Sequence, residues 1–338
     1  MRILFITPKI DERHDDLAFA SLWAQAFIEA GYEVTVICGE KGETRLTCPI
    51  YDLGHVPGQS RFRSFLRFQK LICTLGYDRV FVHLGQRWLG AGAWWWKLKG
   101  IPTYLWYTHY TNPLSLRLGM VAIKRVFAAT KDSLPHYEGD SRKIVTGHGI
   151  DTAFWDMLDL PSEKREPATH LLAVHRLSRS KRLELGIKAL AHLPSEYTLT
   201  HYGRSQDPRN DAGYTEELRA LVETLGLKGR VRFMGAVPMP ALREIYPRYQ
   251  RVLNMAPRTI DKTVLEAMYA GLTPIVTRTQ AEAIGGITFP KDDLPESIAA
   301  YVQSSTLRTR KELQDIIHER HSLRALIEKM SVYIRPGT

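Results

Sequence analysis

The sequence predicts an α/β protein built as two doubly wound, Rossmann-like domains facing across a cleft. Three observations carry that prediction. A chain of 338 residues is long for one hydrophobic core and of ordinary size for two. It opens on strand, loop, helix, glycine, strand, the start of a βαβ unit with a parallel sheet. The same alternation starts afresh after a polar stretch, 156–169, that carries two prolines and reads as a linker.

In the first domain, placed at 1–155, the β-branched and aromatic run R-I-L-F-I-T at residues 2–7 is the first strand. Leu17 to Ala30 has helical apolar spacing, Gly31 stops that helix, and E-V-T-V-I-C follows as a second strand. Further strands are predicted at 79–83, 103–107, 125–128 and 143–146. The second domain, 170–308, begins with H-L-L-A-V-H-R-L and continues with helices over 183–193, 215–225, 241–246 and 263–269. Between them lie the strands Y-T-L-T-H-Y-G, V-R-F-M-G, R-V-L-N-M-A and T-P-I-V-T. Residues 309–338 carry a charged amphipathic helical pattern, expected to cross back and brace the first domain.

Apolar residues make up 44% and charged residues 24%, the balance of a globular protein rather than of a disordered or fibrous one. A formal net charge of +10 favours anionic partners: nucleotide phosphates, acidic lipid headgroups or nucleic acid. The sign alone does not choose among them. Cys38, Cys48 and Cys73 show no C-x-x-C spacing, so neither a disulfide framework nor a zinc site is indicated. The start M-R-I-L-F-I-T-P-K-I lacks the apolar core and cleavage site of a signal peptide. No later run reaches the roughly 18 apolar residues of a membrane span. The expected location is the cytoplasm.

Two segments carry the chemistry. V-H-R-L-S-R-S-K, Val174 to Lys181, places Arg176 at a strand end and Lys181 near the start of the next helix. Ligands of open α/β sheets bind at the carboxyl ends of strands, and a helix amino terminus adds N–H groups and partial positive charge, so two cations there suit a diphosphate. Taken alone, the pair reads more simply as solvated surface charge. The second segment, D-K-T-V-L-E-A-M-Y-A-G-L-T-P-I-V from Asp261 to Val276, sets Glu266 in an otherwise apolar helix start and ends the helix at Gly271. A carboxylate there can accept hydrogen bonds from ribose hydroxyls, and the amides of Lys262, Thr263 and Val264 can hold phosphate oxygens. Alone, Glu266 reads as a structural carboxylate. With Arg176 and Lys181 it makes half of a nucleotide diphosphate sugar site.

Three motifs, in order and with fitting spacing, resemble glycosyltransferase family 4. T-G-H-G-I-D-T-A-F (Thr146 to Phe154) resembles the signature that ends the amino-terminal domain in that family. H-R-L-S-R-S-K resembles its phosphate-binding element, and L-E-A-M-Y-A-G the element whose Glu binds ribose. The resemblance implies the GT-B fold and retention of anomeric configuration. It also implies hexosyl transfer from a UDP- or GDP-sugar, with the nucleotide sugar as co-substrate and no bound metal or other cofactor. By it, Arg176 and Lys181 neutralise the donor pyrophosphate and Glu266 binds its ribose. The acceptor implied is a glycan or a lipid-linked intermediate of envelope polysaccharide synthesis.

The pattern departs from the family at two positions. His175 stands where Gly is usual, and Arg258 where a first Glu often contacts the transferred sugar, eight residues before Glu266. Asp261 with Lys262 resembles a variant of that element, which would move the sugar contact to Asp261. In W-Y-T-H-Y, His109 follows a strand, where the family has a His near the anomeric centre that polarises or positions the sugar. The bland reading is a satisfied polar residue. The loop from Pro8 to Asp16 offers His14, Asp15 and Asp16 as acceptor-side candidates.

Arg61 to Lys70 and Trp94 to Lys99 interleave basic and aromatic residues. Such stretches suit peripheral contact with an anionic membrane at the inner face of the cytoplasmic membrane, but read more simply as an amphipathic helix whose Phe side packs on its own sheet. The enzyme reading competes with a GT-B-like epimerase or phosphorylase and with a non-catalytic nucleotide- or polyanion-binding protein. Specific nucleic-acid recognition is not indicated, because the basic residues are dispersed.

Overall fold

The computed structural model describes residues 1–14, 17–56, 58–156, 164–205 and 211–335. The chain forms two compact units, Met1–Gly147 with Leu323–Thr338, and His148–Ser322.

The first unit contains β1 (Arg2–Ile10), α1 (Phe19–Glu29), β2 (Glu33–Lys41), β3 (Ile50–Asp52), α2 (Arg61–Thr74), β4 (Arg79–His83), α3 (Gln86–Leu98), β5 (Thr103–Trp106), α4 (Leu114–Gly119), β6 (Ile123–Ala128) and β7 (Lys143–Val145). Its strands pair in parallel in the order β3-β2-β1-β4-β5-β6-β7. Alternation along each strand sends side chains to two buried faces. Ile3, Phe5, Val34, Val36, Phe81 and Trp106 join one core with Trp23 and Phe27 of α1. Leu4, Ile6, Ile37, Val80 and Leu105 join another with Phe68 of α2, Leu89 and Trp96 of α3 and Leu116 of α4.

The second unit contains α5 (Thr152–Trp155), β8 (His170–Val174), α6 (Leu183–Ala191), β9 (Thr198–Tyr202), α7 (Tyr214–Thr224), β10 (Val231–Phe233), α8 (Leu242–Ile245), β11 (Arg251–Asn254), α9 (Lys262–Tyr269), β12 (Thr273–Val276), α10 (Arg278–Ile284), α11 (Pro295–Ser304) and α12 (Arg310–Arg320). Its five strands are parallel in the order β10-β9-β8-β11-β12. After it, α13 (Leu323–Ile334) returns to the first unit, where Leu323, Leu326, Ile327, Met330 and Ile334 complete the core around α1.

Several elements differ from the sequence-based expectation. The first strand runs on to Ile10, and β3, only three residues long, leaves no periodic signal. Residues 241–246 form only a four-residue α-helix flanked by 3-10 turns. The unit boundary falls at Gly147/His148, so α5 lies in the second unit rather than closing the first. The 309–338 stretch is two helices. A capping box of Thr309 and Glu312 starts α12, and only α13 belongs to the first unit. Of the predicted linker, 157–163 lies outside the described residues, while Glu166 donates its N–H to the Arg248 carbonyl at 2.6 Å.

Between α12 and α13 the chain is tied down by His321. Its Nδ1 lies 3.1 Å from the His148 carbonyl and its Nε2 2.9 Å from the Ile284 carbonyl, while its own carbonyl accepts from Ile150 N–H at 2.9 Å. Ile150 and Ser322 form a parallel bridge. The segments that enter and leave the second unit are thereby paired with each other.

Because Met330 is fully buried in the core that α13 completes, Met330→Ala is expected to lower stability by about 2–5 kcal/mol, read as a shift in urea midpoint.

Candidate functional site

Strand order in the second sheet reverses between β8 and β11, which is where a doubly wound sheet opens a ligand crevice at its carboxyl edge. β8 leads directly into His175 and Arg176, and β11 leads through residues 255–261 into α9. Thr263 Oγ1 donates to the Val174 carbonyl at 2.7 Å, pinning the amino end of α9 beside the end of β8.

Lys181 is 9% exposed and extends Nζ to both carboxylate oxygens of Asp261, at 2.5 and 2.7 Å. Asp261 also accepts from Asn254 Nδ2 at 2.6 Å, and its own N–H donates to Gln280 Oε1 at 3.3 Å. Gln280, fully buried, spends its amide on the Asn254 and Ala256 carbonyls and on Asn254 Oδ1. Burial pushes the Asp261 carboxyl up, but the Lys181 charge and hydrogen bond, with help from Asn254, leave it below the usual range. Asp261 sits at the N-cap of α9, yet its side chain serves this network and makes no capping bond.

One turn on, Glu266 is 1% exposed. Its Oε1 accepts from Lys262 Nζ at 2.8 Å and its Oε2 from Tyr246 OH at 3.2 Å. Burial raises its pKa against the opposing pull of Lys262 and Tyr246. The Val264 amide donates to the Asp261 carbonyl at 3.0 Å, closing the helix's first turn, so it does not face a ligand as the sequence suggested. The amides of Lys262 and Thr263 precede the internal ladder. Arg176 is half-buried, and no carboxylate among the described residues forms a salt bridge with it.

Three buried histidines surround these groups. His175 Nδ1 lies 2.9 Å from the Arg176 carbonyl, which can only accept, so Nδ1 carries the proton. Burial first, then the charges of Lys181 and Arg176, bring its pKa down to about 4. His201, packed on it at 4.8 Å between ring centroids, donates Nε2 to the His175 carbonyl at 2.9 Å and is pushed well below the usual range by burial. This tight packing requires Gly203: a Cβ there would stand 1.9 Å from the His175 carbonyl oxygen. His148 is brought down to about 4 by burial and by the charge of Lys262.

Arg176, Lys181, Asp261, Lys262, Thr263 and Glu266 therefore belong to one cluster, whereas Arg258 is exposed in the loop before it. The sequence reading missed Asn254, Gln280, Tyr246 and His148. A polar Asn ending the apolar run R-V-L-N-M-A was the available signal for the first. In the first unit, His109 is exposed just past β5 and its ring meets Tyr107 edge-on at 5.3 Å. His14 accepts the Leu17 N–H on Nδ1 at 3.1 Å and so shapes the turn before α1. Asp15 and Asp16 lie outside the described residues.

Residues 168–305, within the second unit, match the profile of the family described as Glycosyl transferases group 1. Among solved structures, Anabaena HepE in complex with UDP-glucose matches at TM-score 0.77 and 16% identity over 99% of each chain. Sucrose-phosphate synthase from Thermosynechococcus elongatus matches at 0.73 and 16%, over 99% of this chain and 98% of the other. WaaG, a glycosyltransferase involved in lipopolysaccharide biosynthesis, matches at 0.68 and 17%, over 99% and 100%. These likenesses establish the GT-B fold. No curated protein sequence matches the chain significantly.

Two outcomes follow from the buried charges. Asp261→Asn leaves the Lys181 ammonium buried without its counter-charge and is expected to cost about 3–5 kcal/mol in urea unfolding, part of it recovered by adding Lys181→Met. His148 and His175 titrate near 4 when folded but near 6.5 when unfolded, so the unfolded chain takes up protons first. Their stabilising contribution is present above pH ~6.5 and is lost as pH falls towards 4, by about 3 kcal/mol each. Melting temperature measured across that window should fall steeply, and less so in His175→Gln.

Proposed function

We propose that the chain is a retaining glycosyltransferase. In this reading it moves a hexosyl group from a nucleoside diphosphate sugar to a hydroxyl of a glycan or lipid-linked acceptor, in the cytoplasm and without a metal ion. The observation that carries the reading is the meeting of Arg176, Lys181 and the amino end of α9 at the strand-order reversal of the segment that matches group 1 glycosyl transferases. Envelope polysaccharide synthesis is the setting proposed, and WaaG, a structural neighbour, acts in lipopolysaccharide synthesis. UDP is the nucleotide to test first, since HepE is solved with UDP and UDP-glucose, and GDP is its competitor.

In the proposed step, the bond between the anomeric carbon and the diphosphate oxygen breaks, and the acceptor oxygen bonds to the same face of that carbon. The acceptor's proton passes to the departing diphosphate oxygen. Negative charge grows on the leaving group, and Arg176, which forms no salt bridge with a carboxylate among the described residues, is the group best able to meet it. Lys181 contributes by sharing its ammonium between Asp261 and the phosphate, and the Lys262 and Thr263 amides add donors at a helix amino end. Asp261 takes the sugar contact in place of a Glu at Arg258. Glu266 receives the ribose hydroxyls once the Lys262 ammonium has swung off it. His109 polarises the reacting sugar, and His14, Asp15 and Asp16 shape the acceptor entrance.

One observation favours a second reading, a non-catalytic nucleotide- or polyanion-binding protein: Glu266 is closed off by Lys262 and Tyr246. The two are separated by melting the protein with nucleoside diphosphates and nucleotide sugars in the presence of chelator. Saturation a hundredfold above Kd stabilises the fold by about 2.7 kcal/mol. The enzyme reading expects one nucleotide class to stabilise the wild type, Glu266→Ala to lose that effect, and the nucleotide sugar to be consumed when acceptor is supplied. Stabilisation with no turnover on any acceptor supports the second reading. No stabilisation at millimolar ligand sinks the first.

A further inference from the structure

The first unit has an outward face that its own fold leaves uncovered. Helices α2, α3 and α4 cover one side of its sheet, burying Phe68, Leu89, Trp96 and Leu116 in a common core. α3 and α4 lie close together, since a Cβ on Gly90 would come within 2.5 Å of the Ser115 carbonyl. Their opposite sides are apolar where they should be polar. Phe62 is 66% exposed and Phe65 and Leu66 lie on the same helical stripe, which continues to Gln69. Gln69 accepts from Trp94 Nε1 at 2.9 Å, linking that stripe to Trp94 and, one turn on, to Leu98, 71% exposed. On α4, which packs beside α3, Leu118 is likewise exposed. The alternative in which the Phe residues of α2 pack on their own sheet holds only for Phe68.

Cations frame this surface. Arg61, Arg63, Arg67 and Lys70 on α2 and Lys97 on α3 are exposed, and none of α2, α3 and α4 contains an acidic residue. From Leu53 to Lys131 the sequence has twelve Lys and Arg against the single carboxylate of Asp78. That excess is larger than the net charge of the whole chain, +10, so the basic residues are not dispersed as expected from the sequence: the net positive charge resides in this part of the first unit.

We propose that the first unit rests on a bilayer of anionic lipids through the outer face of α2, α3 and α4. The apolar side chains enter the boundary between headgroups and acyl chains while the arginines and lysines stay at headgroup level. The chemistry favours a bilayer over a nucleic acid: Leu66, Leu98 and Leu118 gain from acyl chains and nothing from a stacked base, while the exposed rings of Phe62, Phe65 and Trp94 suit the headgroup boundary as well as a base. It disfavours a second copy, because two such basic faces repel each other. The proposal is independent of turnover, so it survives or fails apart from the enzyme reading.

The test is co-sedimentation with vesicles of phosphatidylcholine alone and of equal parts phosphatidylcholine and phosphatidylglycerol, at low and high salt. The triple variant Phe62→Ser, Phe65→Ser, Leu66→Ser alters only exposed positions of α2 and is checked for unchanged melting temperature. Binding confined to the anionic vesicles, weakened by salt and reduced about tenfold or more in the triple variant, is the expected result. Three results would overturn it: equal binding to both vesicle types, tight binding to duplex DNA that the triple variant leaves intact, or self-association that the variant abolishes with no vesicle binding.

Discussion

Parallel pairing is the constraint on which the rest of this molecule depends. Neighbouring parallel strands can be joined only by a connection that returns to the starting end, so helices must cover both faces and the loops that carry function gather at the carboxyl edge. In the second unit this brings the continuation of β8 and the long β11–α9 connection together at the one place where strand order reverses. Thr263 then fixes the helix start to the strand end by a single hydrogen bond to the Val174 carbonyl.

The same edge concentrates charge that water would otherwise hold. Glu266 is buried and Asp261 half-buried, each paired with its own lysine, while burial brings the pKa of the histidines behind them down. A buried charge without a partner costs several kcal/mol, so this set is interdependent: Asn254 orients Asp261, Gln280 holds Asn254, and Tyr246 completes Glu266. Arg176 is the exception, a cation in the same cluster with no carboxylate among the described residues, and its charge is what the fold leaves available to a ligand.

Much of this was legible in the amino-acid sequence. Local patterns placed the strands of both sheets except β3 to within a few residues, and the segments 174–181 and 261–276 named six members of the cluster. What stayed hidden depends on register and long-range contact. Tyr246 reaches Glu266 across 20 positions and Lys181 reaches Asp261 across 80, separations over which no periodicity speaks. Val264 was misjudged because a helix's third amide can be taken by the carbonyl of its own N-cap. The break in the tail was missed because α12 and α13 share one amphipathic character, and only the ring contacts of His321 with two distant carbonyls separate them.

The return of α13 has a bearing on how the protein comes into being. Residues 148–322 form a unit from one uninterrupted piece of chain, whereas the first unit needs Leu323, Leu326, Ile327, Met330 and Ile334 to cover Trp23 and Phe27. On a ribosome adding about 5–20 residues per second, the amino-terminal half waits on the order of ten seconds or more for its last helix. The half made second is thus the first able to finish, and the earlier half spends that interval with an aromatic surface open to chaperones or to neighbouring nascent chains.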